Sequence, residues 1–330
     1  MRGRYWGHRC LGSRFQYLLF LRPRQWPILT CQLLVSGLLA TSCSEVILGK
    51  TALPAGTAPV WQGLLAWFVW VVCLNGGTLA FNSAYDQDEG DVAYLRAPPP
   101  PPAHLVSCSL FLMLVGIGLA FLVSAAFGWI TALCGALSIV YSHPRTRWKG
   151  IAGADLGVNM VGYGGCTTLA GIVAGQTIMA GDSALTDPTT WYLVAGFGLL
   201  FGSCYPLTQI YQLDEDQQRG DRTLVAALGL HRSLWLAVAL TLAAAVPFYF
   251  ATAPDRAGGV TWPHTGPLLA FFAWLVHLGW WLARAERMGP CDHERGMYRA
   301  LGLWAVMDIS LLASRYGGEL LVRYGSGGGG

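Results

Sequence analysis

Long apolar runs separated by short polar loops are the feature that most constrains this chain. A transmembrane helix needs about 20 mostly apolar residues. Runs of that kind predict nine spans, at residues 26–44, 62–84, 104–125, 127–142, 151–175, 190–211, 231–250, 265–283 and 299–317. The third and fourth runs almost fuse at Phe127-Gly128-Trp129, which predicts a tight hairpin there. Only 12% of the 330 residues are charged, against about 25% in a soluble domain, so we expect an all-α integral membrane protein.

The basic residues predict how the spans are oriented, because Lys and Arg concentrate in cytoplasmic loops. With a cytoplasmic N-terminus, seventeen of the 21 Lys and Arg residues fall on the cytoplasmic side. Residues 1–25 are Arg-rich, and their short apolar patch does not fit a cleaved signal peptide. We therefore expect a basic cytoplasmic segment at 1–25. Residues 318–330 are expected to be a tail, whose final Gly and Ser residues resemble a linker.

Two acidic clusters lie at the ends of the second and sixth apolar runs, where carboxylates are least expected. The first cluster, at residues 82–91, includes Asn82, Asp86, Asp88 and Asp91, and the second, at residues 212–221, includes Gln212, Asp214, Asp216 and Asp221. Asn82 and Asp86 are four residues apart and so share one face of a helix, a spacing that Gln212 and Asp216 repeat. Basic loops follow the fourth and eighth runs, which suggests two related four-helix halves and one extra helix.

Such a concentration of carboxylates beside an apolar span predicts a bound cation. Neighbouring carboxylates raise each other's pKa, and a hard divalent cation removes that conflict. Mg²⁺ commonly binds one or two carboxylates together with substrate phosphates. The simpler alternative is that both clusters are ordinary solvated loop acids.

Several motifs together resemble the UbiA superfamily of intramembrane prenyltransferases. The matching pieces are Arg22-Pro23-x-x-Trp26, Asn82-x-x-x-Asp86, Tyr141-Ser142-x-Pro144 with Lys149, Tyr163-Gly164, and Thr208-Gln209 through Asp216-x-x-x-Gly220-x-x-Thr223 with Leu228-Gly229. The resemblance covers about residues 20–315. It implies a barrel of about nine helices around a lipophilic pocket, with the catalytic domain at 26–317.

The resemblance also implies a site in which Mg²⁺ holds an isoprenyl diphosphate. The implied catalytic residues are Asn82, Asp86, Asp214 and Asp216, and the implied metal ligands are these four with Asp88 and Asp91. Gln212 stands where the second motif often has its first Asp, so Asp214 is expected to replace it. Gly90 stands where the first motif often has its last Asp, so Asp91 or Asp88 is expected to substitute.

The expected substrate-binding residues surround these motifs. They are Arg22, Tyr141, Arg145, Lys149, Asn159, Tyr163, Gln212 and Arg222. Fixed positive charges such as Lys149 and the arginines would stabilise the departing phosphates, although topology anchoring is the alternative for each. Asn159 lies one turn before Tyr163 and would line the pocket with it, or would serve only as a structural hydrogen-bonding group.

These residues predict Mg²⁺-dependent transfer of an isoprenyl chain to a lipophilic acceptor, namely a quinone precursor, an aromatic compound or a lipid. The expected partners are the prenyl diphosphate, that acceptor and membrane lipid, with no nucleic acid. The proline run Pro98–Pro102 and the altered first motif keep a membrane terpene cyclase of the same superfamily open. A cation carrier is less favoured, because its charges would lie deeper in the spans. The expected location is a bacterial cytoplasmic membrane, with the N-terminus and active-site loops cytoplasmic.

Overall fold

The fold of the described residues is helical throughout. The structure is a computed structural model that describes residues 9–40, 60–86, 95, 97–179, 184–213, 220–252 and 265–325. In chain order the α-helices are α1 (Phe15–Phe20), α2 (Trp26–Ala40), α3 (Val60–Trp67), α4 (Gly77–Asp86), α5 (Leu105–Ala120), α6 (Ala125–Ser142), α7 (Ala154–Asn159), α8 (Thr167–Ile178), α9 (Pro188–Ile210), α10 (Leu224–Leu228), α11 (Leu230–Thr252), α12 (Thr265–Arg284) and α13 (Pro290–Gly325).

The predicted apolar runs all overlap these helices. Six helical stretches in the described residues are long and apolar enough to cross a membrane: Trp61–Asp86, Ala125–Ser142, Ala154–Ile178, Pro188–Ile210, Leu230–Thr252 and Thr265–Arg287. The helices α2 and α5 are apolar but shorter, and the ninth run lies inside α13. The helical membrane class is confirmed, whereas the count of nine spans stays a prediction.

The hairpin between the third and fourth runs lies earlier than the sequence suggested. Helix α5 ends at Ala120 and α6 begins at Ala125, where the Ser124 hydroxyl accepts a hydrogen bond from the Phe127 N–H at 3.2 Å. This serine is an N-cap, which satisfies one of the free N–H groups of the first turn. The predicted turn at Phe127-Gly128-Trp129 was therefore wrong. Gly128 serves close packing instead, since a Cβ there would lie 2.4 Å from the Phe121 ring.

The chain divides into two compact units. The first comprises residues 1–33 and 59–148, and the second comprises residues 34–58 and 149–330. In the first unit, α1, α4, α5 and the loop residue before α5 share a small core of Phe20, Ala80, Leu95 and Leu105. A hydrogen bond of 2.8 Å between the hydroxyls of Thr78 and Ser138 joins α4 to α6. The N-terminal helix thus packs against the helix that carries the first acidic motif.

In the second unit, α9 is the central packing element. A Cβ at Gly164 would lie 2.7 Å from the Phe197 carbonyl, so the backbone of this segment approaches α9 as closely as a glycine allows. On the other side, the Ser203 and Thr241 hydroxyls are 2.7 Å apart and join α9 to α11. The Trp274 indole N–H donates to the same serine from α12 at 3.2 Å. Helix α9 is thereby fixed on both sides.

Two π-helical stretches interrupt the α-helices near the predicted site residues. Phe68–Gly76 joins α3 to α4, and Met160–Cys166 joins α7 to α8. Turns of this kind are rare and occur frequently at functional sites, because the wider turn changes the direction of the side chains that follow. The first stretch precedes Asn82 on the same continuous helix, and the second contains Tyr163.

Candidate active site

The first acidic motif forms a chain of hydrogen bonds at the end of α4. The Ser142 hydroxyl donates to the Asn82 carbonyl oxygen Oδ1 at 2.9 Å. The Asn82 amide Nδ2 in turn donates to Asp86 Oδ2 at 2.8 Å. This contact confirms that the four-residue spacing places Asn82 and Asp86 on one helix face. Both the oxygen and the nitrogen of the Asn82 side-chain amide are hydrogen-bonded, so Asn82 fixes the orientation of the half-buried Asp86 carboxylate.

Arg22 lies beside this motif as a buried cation. Its guanidinium Nη2 donates to the Ser83 hydroxyl at 2.9 Å, and the residue is only 6% exposed. Its φ of +48° is unusual for a residue with a side chain, and more so for one that precedes proline. Strained backbone persists where the surrounding structure enforces it, and such sites are often functional. The structure therefore holds a buried positive charge against Ser83, the residue that follows Asn82 in α4.

The loop after α6 contacts the first motif through aromatic rings. The Tyr85 ring packs edge-on against His143, with ring centroids 5.8 Å apart. Tyr141 is half-buried in the last turn of α6, and Arg145 is exposed in the loop. The Arg145 side chain makes no ion pair within the described residues. Of the predicted substrate-binding residues in the first unit, Arg22 donates a hydrogen bond to the motif helix through Ser83.

In the second unit, Lys149 is buried in a short 3₁₀ turn, Trp148–Gly150. The residue is only 8% exposed. A lysine that merely anchors a loop on one side of a membrane keeps its ammonium group in water. Burial therefore favours a functional or structural role for Lys149 over topology anchoring.

In the second unit, a buried carboxylate that was not among the predicted site residues holds the last turn of α9. Asp155 has no exposed surface. Its Oδ1 accepts hydrogen bonds from the N–H groups of Gly153 at 2.9 Å and Leu156 at 2.8 Å. Its Oδ2 accepts from the Gln209 amide at 2.9 Å and from the Leu224 N–H at 2.8 Å. Four donors thus compensate the cost of burying this group.

This network fixes both ends of the segment that contains the second acidic motif. Gln209 lies in the last turn of α9, just before the motif, and Leu224 begins α10, just after it. The side-chain oxygen Oε1 of Gln209 also accepts a hydrogen bond from the Val225 N–H at 3.3 Å. A parallel backbone bridge joins Ile151 to Arg222. The segment that carries the second motif therefore begins and ends on residues held by Asp155.

The remaining predicted residues of the second unit differ in burial and in their contacts. Asn159 is buried, and its amide donates to the Asp155 carbonyl at 2.8 Å, as a structural hydrogen bond would. The Tyr163 ring stacks on Phe201 with centroids 5.4 Å apart and an interplanar angle of 10°. Gln212 is half-buried just beyond α9, and Arg222 is exposed.

Part of the predicted metal-ligand set falls within the described residues. Asp88, Asp91, Asp214 and Asp216 lie outside the described residues. Among the residues that are described, no group of three or more His, Cys, Asp or Glu side chains could hold a metal ion. The described residues do contribute a carboxylate at Asp86 and an amide oxygen at Asn82. These are hard oxygen donors of the kind that Mg²⁺ binds, so the chemistry of the donors fits that ion.

Comparison with known proteins defines the class. The sequence model of the UbiA prenyltransferase family matches residues 44–298. The chain belongs to that family and is an all-α integral membrane protein. Membership of the family supports prenyl transfer as the general activity of this chain. No curated protein sequence matches the chain.

Solved structures of the same fold cover nearly the whole chain. A structure of digeranylgeranylglyceryl phosphate synthase is similar with a TM-score of 0.61 and 14% identity, over 91% of this chain and 98% of that chain. A UbiA homologue from Archaeoglobus fulgidus, bound to DMAPP and Mg²⁺, gives 0.59 and 16%, over 89% and 99%. A UbiA homologue from Aeropyrum pernix K1 gives 0.56 and 18%, over 87% and 95%. At these identities the likeness establishes the fold.

Proposed function

We propose that this protein is a Mg²⁺-dependent prenyltransferase that moves an isoprenyl chain from its diphosphate to a lipophilic acceptor inside the membrane. The acceptor is a quinone precursor, another aromatic compound or a lipid. The observation that carries the proposal is the Asp86 carboxylate, which Asn82 and Ser142 orient at the end of a membrane helix. The Archaeoglobus relatives bound to DMAPP or GPP with Mg²⁺ support the substrate class. The active-site loops and the N-terminus face the cytoplasm of a bacterial cell.

The acidic residues serve to hold the cation and, through it, the diphosphate. The proposed ligands are Asn82, Asp86, Asp88, Asp91, Asp214 and Asp216. When bound, Mg²⁺ would neutralise the phosphate oxygens and make the diphosphate a better leaving group. Asn82 has a second task, because its hydrogen bond keeps Asp86 in one rotamer. A ligand whose orientation is fixed in advance loses less conformational entropy when the cation binds.

The basic residues bind the diphosphate directly. Arg22 and Lys149 are buried basic residues, and charge-assisted hydrogen bonds to phosphate oxygens are stronger than neutral ones. Their positive charge stabilises the negative charge that develops on the diphosphate as the bond to the prenyl carbon breaks. Arg145 and Arg222 are exposed and contribute mainly to attracting the anionic substrate. Gln212 and Tyr141 offer further polar contacts near the two motifs.

Aromatic side chains of the second unit suit the reacting carbon chain. Tyr163 stacks on Phe201, whose ring lies 6.0 Å from that of Trp304. Ring faces attract cations, and the dry surroundings protect an allylic cation from water. In the proposed reaction the C1–O bond breaks and its electron pair leaves with the diphosphate. The acceptor then forms the new bond to C1 and loses a proton.

Product analysis tests the proposal. The purified full chain is incubated with Mg²⁺ and C10, C15 or C20 prenyl diphosphates, with and without quinone-type or lipid acceptors, and the extract is analysed by mass spectrometry. We expect a prenylated acceptor from the wild-type protein and from the Asp187→Asn control, but none from Asp86→Ala. Asp187 caps the start of α9 through the Thr189 N–H, and asparagine caps equally well.

Two outcomes of this assay would contradict the transferase. A cyclic hydrocarbon or terpene alcohol that forms without acceptor, and is absent with Asp86→Ala, would identify a terpene cyclase. A wild-type protein that consumes no prenyl diphosphate under any of these conditions would contradict both enzymes.

A further inference from the structure

A strongly basic pocket lies in the second unit, on residues that the proposed reaction does not use. It is a cavity of about 440 Å³ where α12 ends and α13 begins. The side chains that matter here are Trp280, Arg284, Arg287, Asp292, Arg295 and Arg299. We call this cavity the arginine pocket. Four arginines against one carboxylate give it an excess of positive charge.

The helices that form the arginine pocket are held together by a rigid frame. The Trp281 indole N–H donates to His293 Nδ1 at 2.9 Å, so α12 and α13 are joined by a buried hydrogen bond. A ring nitrogen of His277 lies 3.0 Å from the Gly296 carbonyl oxygen. A Cβ at Gly296 would meet the Trp281 ring at 2.8 Å. The helix ends are therefore closely packed, and the arginines project from a fixed backbone.

The positive charges of the pocket are poorly neutralised by the protein itself. Asp292 pairs with Arg295 at 3.2 Å, but both side chains are exposed. Within the described part of the chain, Arg284, Arg287 and Arg299 have no carboxylate in salt-bridge contact. Instead, Arg284 and Arg299 both lie over the Trp280 ring, at 5.2 and 5.1 Å from its centroid. Like charges gathered on one aromatic platform create a strong local attraction for an anion.

The position of the pocket indicates which anion it binds. It lies at the end of Thr265–Arg287, a helix apolar enough to cross a membrane. Val276 and Phe272 lie one and two turns before Trp280 in α12, and they are 54% and 66% exposed. Residues four apart share one face of a helix. An exposed apolar stripe thus leads from the pocket along the membrane-spanning part of the helix.

We propose that the arginine pocket binds the phosphate group of an anionic phospholipid, with an acyl chain along the stripe of Val276 and Phe272. The planar guanidinium fork matches phosphate oxygens in a bidentate geometry. Arginine and tryptophan at the end of a membrane helix lie at the depth of the lipid headgroups. The proposal requires neither the transferase activity nor the acidic motifs. It assigns to the α12–α13 hairpin a role in recognising lipid.

Native mass spectrometry of the detergent-purified full chain tests this proposal. Dioleoyl phosphatidylglycerol and dioleoyl phosphatidylcholine are titrated against the wild type and against an Arg284→Gln/Arg299→Gln variant. The matched control is Arg14→Gln/Arg232→Gln, which removes the same charge at two exposed positions elsewhere. We expect the wild type and the control to prefer phosphatidylglycerol. The pocket variant should bind it at least about tenfold more weakly, as expected when two arginines near a lipid headgroup are lost.

Competition with inorganic phosphate and two further variants distinguish lipid binding from binding of free phosphate. Inorganic phosphate that binds the pocket as tightly as the intact lipid, or displaces it fully at equal concentration, would overturn the lipid assignment. A pocket variant that keeps the wild-type preference for phosphatidylglycerol would also overturn it. Arg284→Lys keeps the charge but not the guanidinium fork, and Trp280→Leu keeps the charges but not the platform. Both should weaken binding, and a wild-type affinity in both would contradict this geometry.

Discussion

The two membrane helices that lead into the acidic motifs end in different ways. At the end of α4, Asp86 is half-buried and receives a hydrogen bond from Asn82 on its own helix. At the end of α9, the nearby carboxylate is Asp155, which is fully buried and accepts four hydrogen bonds. The Asp86 carboxylate is oriented by one neighbouring side chain, whereas both oxygens of Asp155 are hydrogen-bonded to surrounding parts of the fold.

This difference indicates a division of roles. A carboxylate with four short hydrogen bonds and no exposed surface has its acceptor capacity occupied, so it stabilises structure. A half-buried carboxylate at a helix end can still approach a ligand. We propose that the second motif supplies its ligands from Asp214 and Asp216, and that Asp155 positions them by holding Gln209 and Leu224 on either side of the motif. We expect substitutions at the two ends to separate activity from stability.

The largest expected effect is the loss of activity in Asp86→Ala. Removing this proposed ligand should lower kcat by a factor on the order of 10²–10³ or more, because the cation that would stabilise the leaving group is no longer held. Steady-state rates with a prenyl diphosphate and acceptor measure this, with Asp187→Asn as the control. Wild-type rates in Asp86→Ala would show that the end of α4 is not part of the catalytic site.

Metal removal should have an effect of similar size. Treatment with EDTA should stop product formation, and added Mg²⁺ should restore it, because the acidic motifs would otherwise repel the diphosphate. The measurement is the rate before chelation, after chelation and after Mg²⁺ is added back. Full activity in EDTA would contradict a metal role for both motifs.

A different kind of effect is expected for Asp155→Asn. The amide nitrogen would face the Gln209 amide or the Leu224 N–H and leave buried donors unsatisfied, at a cost of about 1–3 kcal/mol for each donor. Thermal unfolding in detergent should show a clear decrease in Tm, while Asp187→Asn should stay near the wild-type value. An unchanged Tm would show that the buried network does not hold the end of α9.

The smallest expected effect is that of Ser142→Ala. Its hydroxyl supports Asn82, which in turn orients Asp86, and loss of such an outer partner typically costs about tenfold to a hundredfold in metal affinity or activity. We expect about a tenfold rise in the Mg²⁺ concentration needed for half-maximal rate. Ser138→Ala is the matched control, since that hydroxyl bonds to Thr78 and the Cys134 carbonyl, away from the motif. Equal effects of the two substitutions would argue against a specific role for the hydrogen bonds from Ser142 to Asn82 and from Asn82 to Asp86.

The sequence predicted the helical membrane class and the geometry of the first motif well. Apolar runs of this length have few other uses, and a spacing of four residues places Asn82 and Asp86 on one helix face whatever the tertiary fold. The hydrogen bond between them confirms that expectation. Local rules suffice here because both residues belong to one continuous helix.

The role of Asp155 could not be predicted by the same rules. Its partners Gln209 and Leu224 are distant in sequence, so the network depends on tertiary packing. One signal was present: an acidic residue at the start of an apolar run is costly in a membrane and generally functional or structural. The misplaced hairpin has a related cause. Gly128 looked like a turn residue, but it is a packing residue inside α6.

The most direct test compares Mg²⁺-dependent prenyl diphosphate binding and thermal unfolding in the same preparations of wild type, Asp86→Asn and Asp155→Asn. We expect Asp86→Asn to lose Mg²⁺-dependent binding while its Tm stays near the wild-type value. Asp155→Asn should show the clear decrease in Tm. Wild-type binding by Asp86→Asn, or a wild-type Tm for Asp155→Asn, would contradict the division of roles between the two helix ends.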